Sequence, residues 1–570
     1  MPDLNVSKKT VFEFLDGMGH RKFVIPDYQR PYKWDIEKCE TLWLDILSFL
    51  EENPTDELNP QDDSNYFLGT IVSYAIEDGN FEIIDGQQRI TTLFLLLRAY
   101  YAKLEKMDVN DPNVRGLKNQ ISSCIWQVNR ISMEIVNKEN YHLESRVATK
   151  AERDILHNLI CTGIPSSSAK DRYSNNFKFF AEKIDTFARD NPFQWEMLCI
   201  SIMRRCILLP IQCDTSETAL TIFSTLNDRG MPLEDSDIFK AKLYGSKQSD
   251  EEKDLFNEAW KELIDICKRA SIRIDDLFRY YTHVLRGRNG DTSREVALRK
   301  FYANGTSYDT LLNVDFEEIL DLSKFWEVLN NRAFENNQFA ISLDAFHYIH
   351  CLSTYPNDFW KYIVSAFFIK NRSSLDFANN FSIFLKKTTA FLLAKFVARP
   401  SVNSIKDDIY AACSKIFSEG NVEFTQPFDT LQIRERFPYL SSKITRTVLL
   451  LSAYQHPGQL NLLPSNFDIE HIFPRKWQDT NYFGWDKNEA SVSLEKLGNK
   501  IVLEKKLNIQ AGNGYFGQKK QKYMSSSIKV VQDLGALQYN DWVQVDIEER
   551  EKNLTEQMID FFQANLVAIA

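Results

Sequence analysis

Ile83-Ile84-Asp85-Gly86-Gln87-Gln88-Arg89-Ile90-Thr91-Thr92-Leu93 passes from an apolar strand through a glycine turn into a helix carrying an arginine in its first turn. Phe81 to Ile84 has strand character, and Leu93-Phe94-Leu95-Leu96-Leu97 continues the helix as an apolar stretch. A helix N-terminus offers unpaired backbone N–H groups and the positive end of a dipole, which suits a phosphate, and Arg89 adds a bidentate donor. Asp85 suits a metal, a ribose hydroxyl, or no more than a helix cap with Arg89 paired to a surface carboxylate, and the residues alone leave these open.

Upstream stands Ile25-Pro26-Asp27-Tyr28-Gln29-Arg30-Pro31-Tyr32-Lys33-Trp34. Aromatics alternating with cations suit stacking of a base and a grip on phosphate, although an amphipathic edge strand gives the same alternation. Lys22 to Ile25 and Tyr66 to Ala75 also read as strands, so the first region is α+β, with Glu51 to Asn65 an exposed polar loop. From about Glu139 to Tyr454 helical periodicity dominates, as in Phe177 to Phe187, Glu252 to Ala270 and Asn380 to Val397. His456-Pro457-Gly458 and Leu463-Pro464-Ser465-Asn466 open a third region, where a short strand, Phe467 to Ile472, runs into Pro474. The chain is expected to be α+β and predominantly α, divided near 1–245, 246–439 and 440–570.

At 570 residues and 66.4 kDa the chain exceeds a single core, and 44% hydrophobic with 26% charged residues excludes a disordered or fibrous polypeptide. Its apolar runs fall short of the roughly 20 residues of a membrane span. Met1-Pro2-Asp3-Leu4 lacks the basic and apolar regions of a secretory signal, so a cytoplasmic protein without a membrane partner is expected. Nine cysteines without a Cys-x-x-Cys pair point to reduced thiols and no zinc ribbon. The net charge of −11 argues against a histone-like coat, but Ser465 to Val530 carries eleven Lys and Arg against seven Asp and Glu. A polyanion is therefore expected at the C-terminal end.

There Phe467-Asp468-Ile469-Glu470-His471-Ile472-Phe473-Pro474 precedes Leu497-Gly498-Asn499-Lys500-Ile501-Val502-Leu503 and then Asn508, the pattern of an HNH site. A neutral imidazole can take a proton from water attacking a scissile phosphorus, and carboxylate and amide oxygens suit a hard divalent cation beside the phosphate. Strand alternation puts Asp468 and Glu470 on one face and His471 on the other, with the turn before Pro474 able to return His471 toward Glu470.

The ordered motifs resemble a family. Residues 10 to 245, with Ile-Pro-x-Tyr-Gln-Arg-x-Tyr-x-Trp, Asp-Gly-Gln-Gln-Arg and the Asn227-Asp228-Arg229-Gly230-Met231-Pro232-Leu233 segment, resemble the ParB-like N-terminal half of GmrSD-type type IV restriction proteins. Residues 440 to 545 resemble their HNH half, a ββα-metal nuclease domain. The resemblance implies a pocket for a nucleoside triphosphate lined by Asp85, Gly86, Gln87, Gln88 and Arg89, joined by Arg30, Asn227 and Arg229, with NTPase activity. It implies His471 as general base, Asn499 as the residue fixing the loop and Asn508 as the metal-side residue. Asp468, Glu470 and Asn508 would hold Mg²⁺ or Mn²⁺, with Lys500, Lys519 and Lys520 on DNA. Two departures from the usual pattern, Glu470 before the histidine and Asn508 in the last place, leave open whether Asp468 or Glu470 is the main ligand. The implied function is a nucleotide-regulated, metal-dependent endonuclease of phage defence acting on modified phage DNA, with a homo-oligomer admitted. The rival readings are a nucleotide-driven DNA-binding protein with an inactive HNH clamp, and a metal-dependent RNase. His347 and His350, and the aromatic group Tyr173, Phe177, Phe179 and Phe180, are expected in cores rather than sites.

Overall fold

The computed structural model describes residues 5–16, 21–53, 64–76, 79–107, 111–129, 131–166, 171–192, 194–215, 218–219, 222, 234–303, 308–335, 337–401, 403–425, 430–477 and 487–567. The protein is α+β and mostly helical, and it folds as two compact units, Met1–Asn257 and Glu258–Ala570. No helix among the described residues is long and apolar enough to cross a membrane.

The first unit is built on a mixed sheet of β1 (Asn5–Val6), β2 (Lys9–Thr10), β3 (Phe23–Ile25), β4 (Tyr66–Ala75), β5 (Phe81–Asp85), β6 (Leu143–Ser145) and β7 (Cys206–Cys213). Its order is β1-β7-β4-β5-β3-β6, with β2 also on β7. β4 runs parallel to β7 and antiparallel to β5, while β5, β3 and β6 run parallel. Against the sheet lies the helix Gln87–Leu104, buried almost from end to end because its sequence is apolar all round rather than striped. Tyr173, Phe177 and Phe180 of the helix Arg172–Asp190 close over this core. Arg98 sits fully buried in the helix Gln87–Leu104, a placement tolerated only with partners. Its Nε donates to the Ile160 carbonyl at 2.7 Å, Nη1 meets Glu105 at 3.1 Å, and the guanidinium lies 5.5 Å from the ring centroids of both Tyr101 and Trp126.

In the second unit the residues between about 258 and 454 form helices packed through aromatic side chains, with Phe325 stacked on Phe368 at 4.0 Å and Phe367 on Phe384 at 4.1 Å. His347 stacks on Tyr454, and His350 Nδ1 pairs with the Tyr454 hydroxyl at 2.6 Å, so both histidines are core residues. Beyond them β8 (Phe467–His471) pairs antiparallel with β9 (Lys500–Glu504), and the helix Lys505–Ala511 follows β9 without a break. The helices Phe516–Met524, Lys529–Ala536 and Gln544–Asn565 back this hairpin.

The turn Leu497–Asn499 that feeds β9 lies directly on the helix Gln544–Asn565. Gly498 makes this possible, since a Cβ there would overlap the Ile547 carbonyl oxygen and crowd the Glu551 amide, both rigid helix backbone. Gly498→Ala is therefore expected to destabilise the second unit by about 3 kcal/mol, the upper part of the usual range for overpacking. In urea its unfolding midpoint should fall with the slope unchanged, and an unaltered midpoint would contradict the packing described.

Candidate active site

Antiparallel pairing places His471, the last residue of β8, opposite Lys500, the first of β9. The chain leaving His471 is held by Asn499, which is completely buried. The Ile472 N–H donates to the Asn499 carbonyl at 2.9 Å and the Phe473 N–H to its Oδ1 at 2.7 Å. Asn499 Nδ2 donates in turn to the carbonyls of Phe473 (3.1 Å) and Leu494 (3.2 Å). An apolar residue here would leave buried backbone groups unpaired. Behind it, Arg550 Nη1 donates to the carbonyls of Gly498 (2.8 Å) and Lys500 (2.7 Å), and the Leu497 N–H donates to Glu551 at 2.9 Å. Arg550 and Glu551 carry no motif, being a charged pair on a long amphipathic helix, and only the fold reveals their work.

His471 itself is 8% exposed. Its Nε2 lies 3.5 Å from Arg475 Nε and 4.0 Å from Glu495 Oε1. Burial, followed by the charges of Arg475, Lys500 and Lys519, lowers its pKa to about 4, with Glu495 opposing. The imidazole is neutral at pH 7, the form that accepts a proton.

The two acids of β8 meet different partners. Asp468 is partly exposed, with Asn508 Nδ2 of the helix Lys505–Ala511 at 3.4 Å from its Oδ2. Glu470, 5% exposed, forms an ion pair with Lys519 at 2.7 Å and accepts from the Tyr523 hydroxyl at 2.8 Å. Burial pushes its carboxyl upward, with Lys519 and Tyr523 opposing. Among the described residues no three His, Cys, Asp or Glu side chains gather as a metal cage. A Mg²⁺-like ion, however, keeps several waters and takes one or two carboxylates together with substrate phosphate oxygens, a requirement the partly exposed Asp468 carboxylate fits, with the Asn508 carboxamide beside it.

The lysines expected on DNA are placed otherwise. Lys519 is 1% exposed and turned inward, Lys500 is buried with its ammonium 2.7 Å from Glu495, and Lys520 donates to the carbonyls of Leu537 and Tyr539. Lys519 and Lys520 serve backbone carbonyls and Lys500 a carboxylate, which a count of charges along the sequence does not show. Among the described residues of the region, the exposed cations include Arg475, Lys476, Lys505 and Lys506.

In the first unit the motifs around Asp85 come together. Gly86 adopts the left-handed conformation, φ 92°, that lets β5 turn at once into the helix Gln87–Leu104. Gln88 accepts from the Lys33 N–H (2.7 Å) and donates to the Pro31 carbonyl (3.0 Å), while Gln87 bonds Gln29, which reaches the Ile84 carbonyl at 2.8 Å. These glutamines thus bind the Tyr28–Trp34 segment to the turn. Arg89 is turned inward, its Nη1 donating to the Thr70 carbonyl at 2.8 Å, with burial lowering its pKa and Asp85 opposing. Asp85 is raised by burial, against the pull of Arg89. Arg30 is held by Asp237 through Nε at 2.7 Å, and Lys240, pushed down to about 8 by burial, donates to the Asp27 carbonyl. Asp237 and Lys240 lie just beyond the Asn227–Leu233 segment and received no role from the sequence. Asn227 and Arg229 lie outside the described residues. Arg30, Tyr32, Gln87 and Gln88 line a crevice too narrow to admit a water molecule, far short of the ~300 Å³ at which ligand pockets begin. A larger cavity, about 670 Å³, lies among the helices of the second unit, where Glu295 on its wall is already engaged by Arg279, His283 and Tyr410.

No curated protein matches the chain. Residues 11–244 match the model of the GmrSD restriction endonuclease N-terminal domain, and residues 423–557 that of the C-terminal domain of the same endonucleases. Those spans contain the Asp85 turn with its clamped neighbours and the His471–Asn499 hairpin with its following helix, in that order, and so the chain belongs to the GmrSD-type type IV restriction endonucleases.

Proposed function

We propose that the protein is a cytoplasmic, nucleotide-regulated, metal-dependent DNA endonuclease that restricts modified phage DNA, with a ββα (HNH) site at His471 and a ParB-like first domain that binds and hydrolyses the nucleotide. The observation carrying the nuclease part is the Asn499 clamp, which fixes a neutral histidine at the end of β8 beside an amide-bearing helix. In this reading His471 takes a proton from the water that attacks phosphorus, and the bond from phosphorus to the departing 3′ oxygen breaks, that oxygen gaining a proton from solvent. Asp468 and Asn508 hold a Mg²⁺ or Mn²⁺ ion, which when bound neutralises charge on the phosphate. Arg475, Lys476, Lys505 and Lys506 supply the cationic surface for the DNA backbone.

His471→Ala should lower nicking of plasmid DNA by ~10²-fold or more while leaving the melting curve in place, the usual loss when a positioned base is removed. A folded variant that nicks at the normal rate would refute the assignment. RNA tested beside DNA in the same assay reads the polymer class.

For the regulatory part the support is the convergence of the Tyr28–Trp34 segment, the Asp85 turn and Asp237 around one crevice. A nucleotide requires that crevice to widen, and Arg30, released from Asp237, is the cation available to its phosphates. Arg30→Ala should weaken nucleoside triphosphate binding by ~10-fold or more in titration calorimetry, in line with loss of a charge-assisted bond. Unchanged affinity would place the nucleotide elsewhere.

A further inference from the structure

We propose that Lys519 is a positioning residue for His471, acting through the backbone at the end of β8, and that Glu470 serves to hold Lys519 rather than to bind a cation. The inference rests on the reading of His471 as the base.

Lys519 reaches out of the helix Phe516–Met524 into a fully enclosed position. Its ammonium lies 2.7 Å from Glu470 Oε1, 2.7 Å from the His471 carbonyl oxygen and 3.3 Å from the Ile472 carbonyl oxygen. An ammonium has three donors and no acceptor, and these three oxygens match that number. All three belong to consecutive residues.

Successive carbonyls of an extended strand point to opposite sides, so the His471 and Ile472 carbonyls can reach one ammonium only where the chain turns out of the strand. The same peptide units are held from their other edge, the N–H groups of Ile472 and Phe473 donating to Asn499. Asn499 thus takes the N–H groups and Lys519 the C=O groups of the turn that carries the imidazole. Glu470 faces inward with Lys519 and Tyr523, whereas Asp468, two residues earlier, meets Asn508. A fully buried lysine is a costly way to join a helix to a strand, and apolar packing would join them more cheaply. What an ammonium offers, and a leucine lacks, is donors for two carbonyls beside the imidazole.

Removing either charge alone leaves the other buried and unpaired, so the informative variant is the neutral pair Glu470→Gln/Lys519→Met in the full-length protein. It should stay folded with a lowered melting point, since two carbonyls lose their donor, bind Mn²⁺ in titration calorimetry and bind DNA with unchanged affinity, yet cleave saturating DNA about 10²-fold more slowly, as a misplaced base does. Cleavage by the folded pair at the wild-type rate overturns the proposal. So does loss of Mn²⁺ affinity, which makes Glu470 a ligand. If the pair does not fold, Tyr523→Phe decides, since it deletes one hydroxyl on Glu470. A several-fold slower cleavage with intact Mn²⁺ binding supports positioning, and an unchanged rate overturns it. His471→Ala in the same assay separates the two ideas. Impaired cutting there beside an unaffected pair removes only the role of Lys519, while normal cutting by folded His471→Ala removes the reading of the site as well.

Discussion

The buried carboxamide of Asn499 is the constraint on which the second unit's site depends. A two-stranded sheet is too small to fix its own ends, and the residue after His471 has no further strand partner to pair with. Asn499 supplies the missing partners from its own backbone and side chain, bonding Ile472, Phe473 and Leu494 at once. Only a residue with both an amide donor and an amide acceptor does this without burying a charge. The arrangement requires Asn499 to be fully enclosed, which brings the helix Gln544–Asn565 onto Gly498 and Arg550 onto the adjoining carbonyls.

Much of this was legible in the sequence because it is local. The strand expected over Phe467 to Ile472 is observed as Phe467–His471, while the second strand, Lys500–Glu504, and the helix of Asn508 followed only from the resemblance to a ββα unit. The helices Arg172–Asp190, Asp250–Arg269 and Phe377–Ala398 likewise enclose the periodic segments at Phe177, Glu252 and Asn380. The partners of the charged side chains were not legible. Lys519 and Lys520 are identical neighbours in the sequence, yet one lies under the His471 carbonyl and the other binds carbonyls near Tyr539, because a helix turns each residue by 100° and its packing decides which face is interior. Arg550 and Glu551 were invisible for the same reason.

The first unit shows another limit. The motif Asp-Gly-Gln-Gln-Arg has the composition of a phosphate turn, and its glycine does take the left-handed conformation such a turn needs. Its two glutamines and its arginine nevertheless bond to Gln29, Pro31, Lys33 and Thr70, so in this state the motif is a clasp between separated segments of chain. A sequence reports which polar groups are present. It does not report whether protein or ligand satisfies them, since both offer the same carbonyls and carboxylates. The 245–422 stretch, outside both family matches, packs through phenylalanine pairs such as Phe325 on Phe368 and Phe367 on Phe384, yet it too buries polar groups whose partners only the fold reveals, such as Glu318 held by Arg288 and Tyr281.

The electrostatics of His471 tie these points together. Burial and three nearby cations keep the imidazole neutral, with a pKa of about 4, well below the value at which a general base is most effective. Two of those cations, Lys500 and Lys519, are bound to carboxylates and fixed in the fold, whereas Arg475 is exposed beside the ring. A phosphodiester laid against Arg475 adds negative charge near the imidazole, and negative charge favours its protonated form. If His471 is the base, as proposed, a polyanion bound at Arg475 would raise its basicity from this low starting point, so that the base would strengthen when its target is in place.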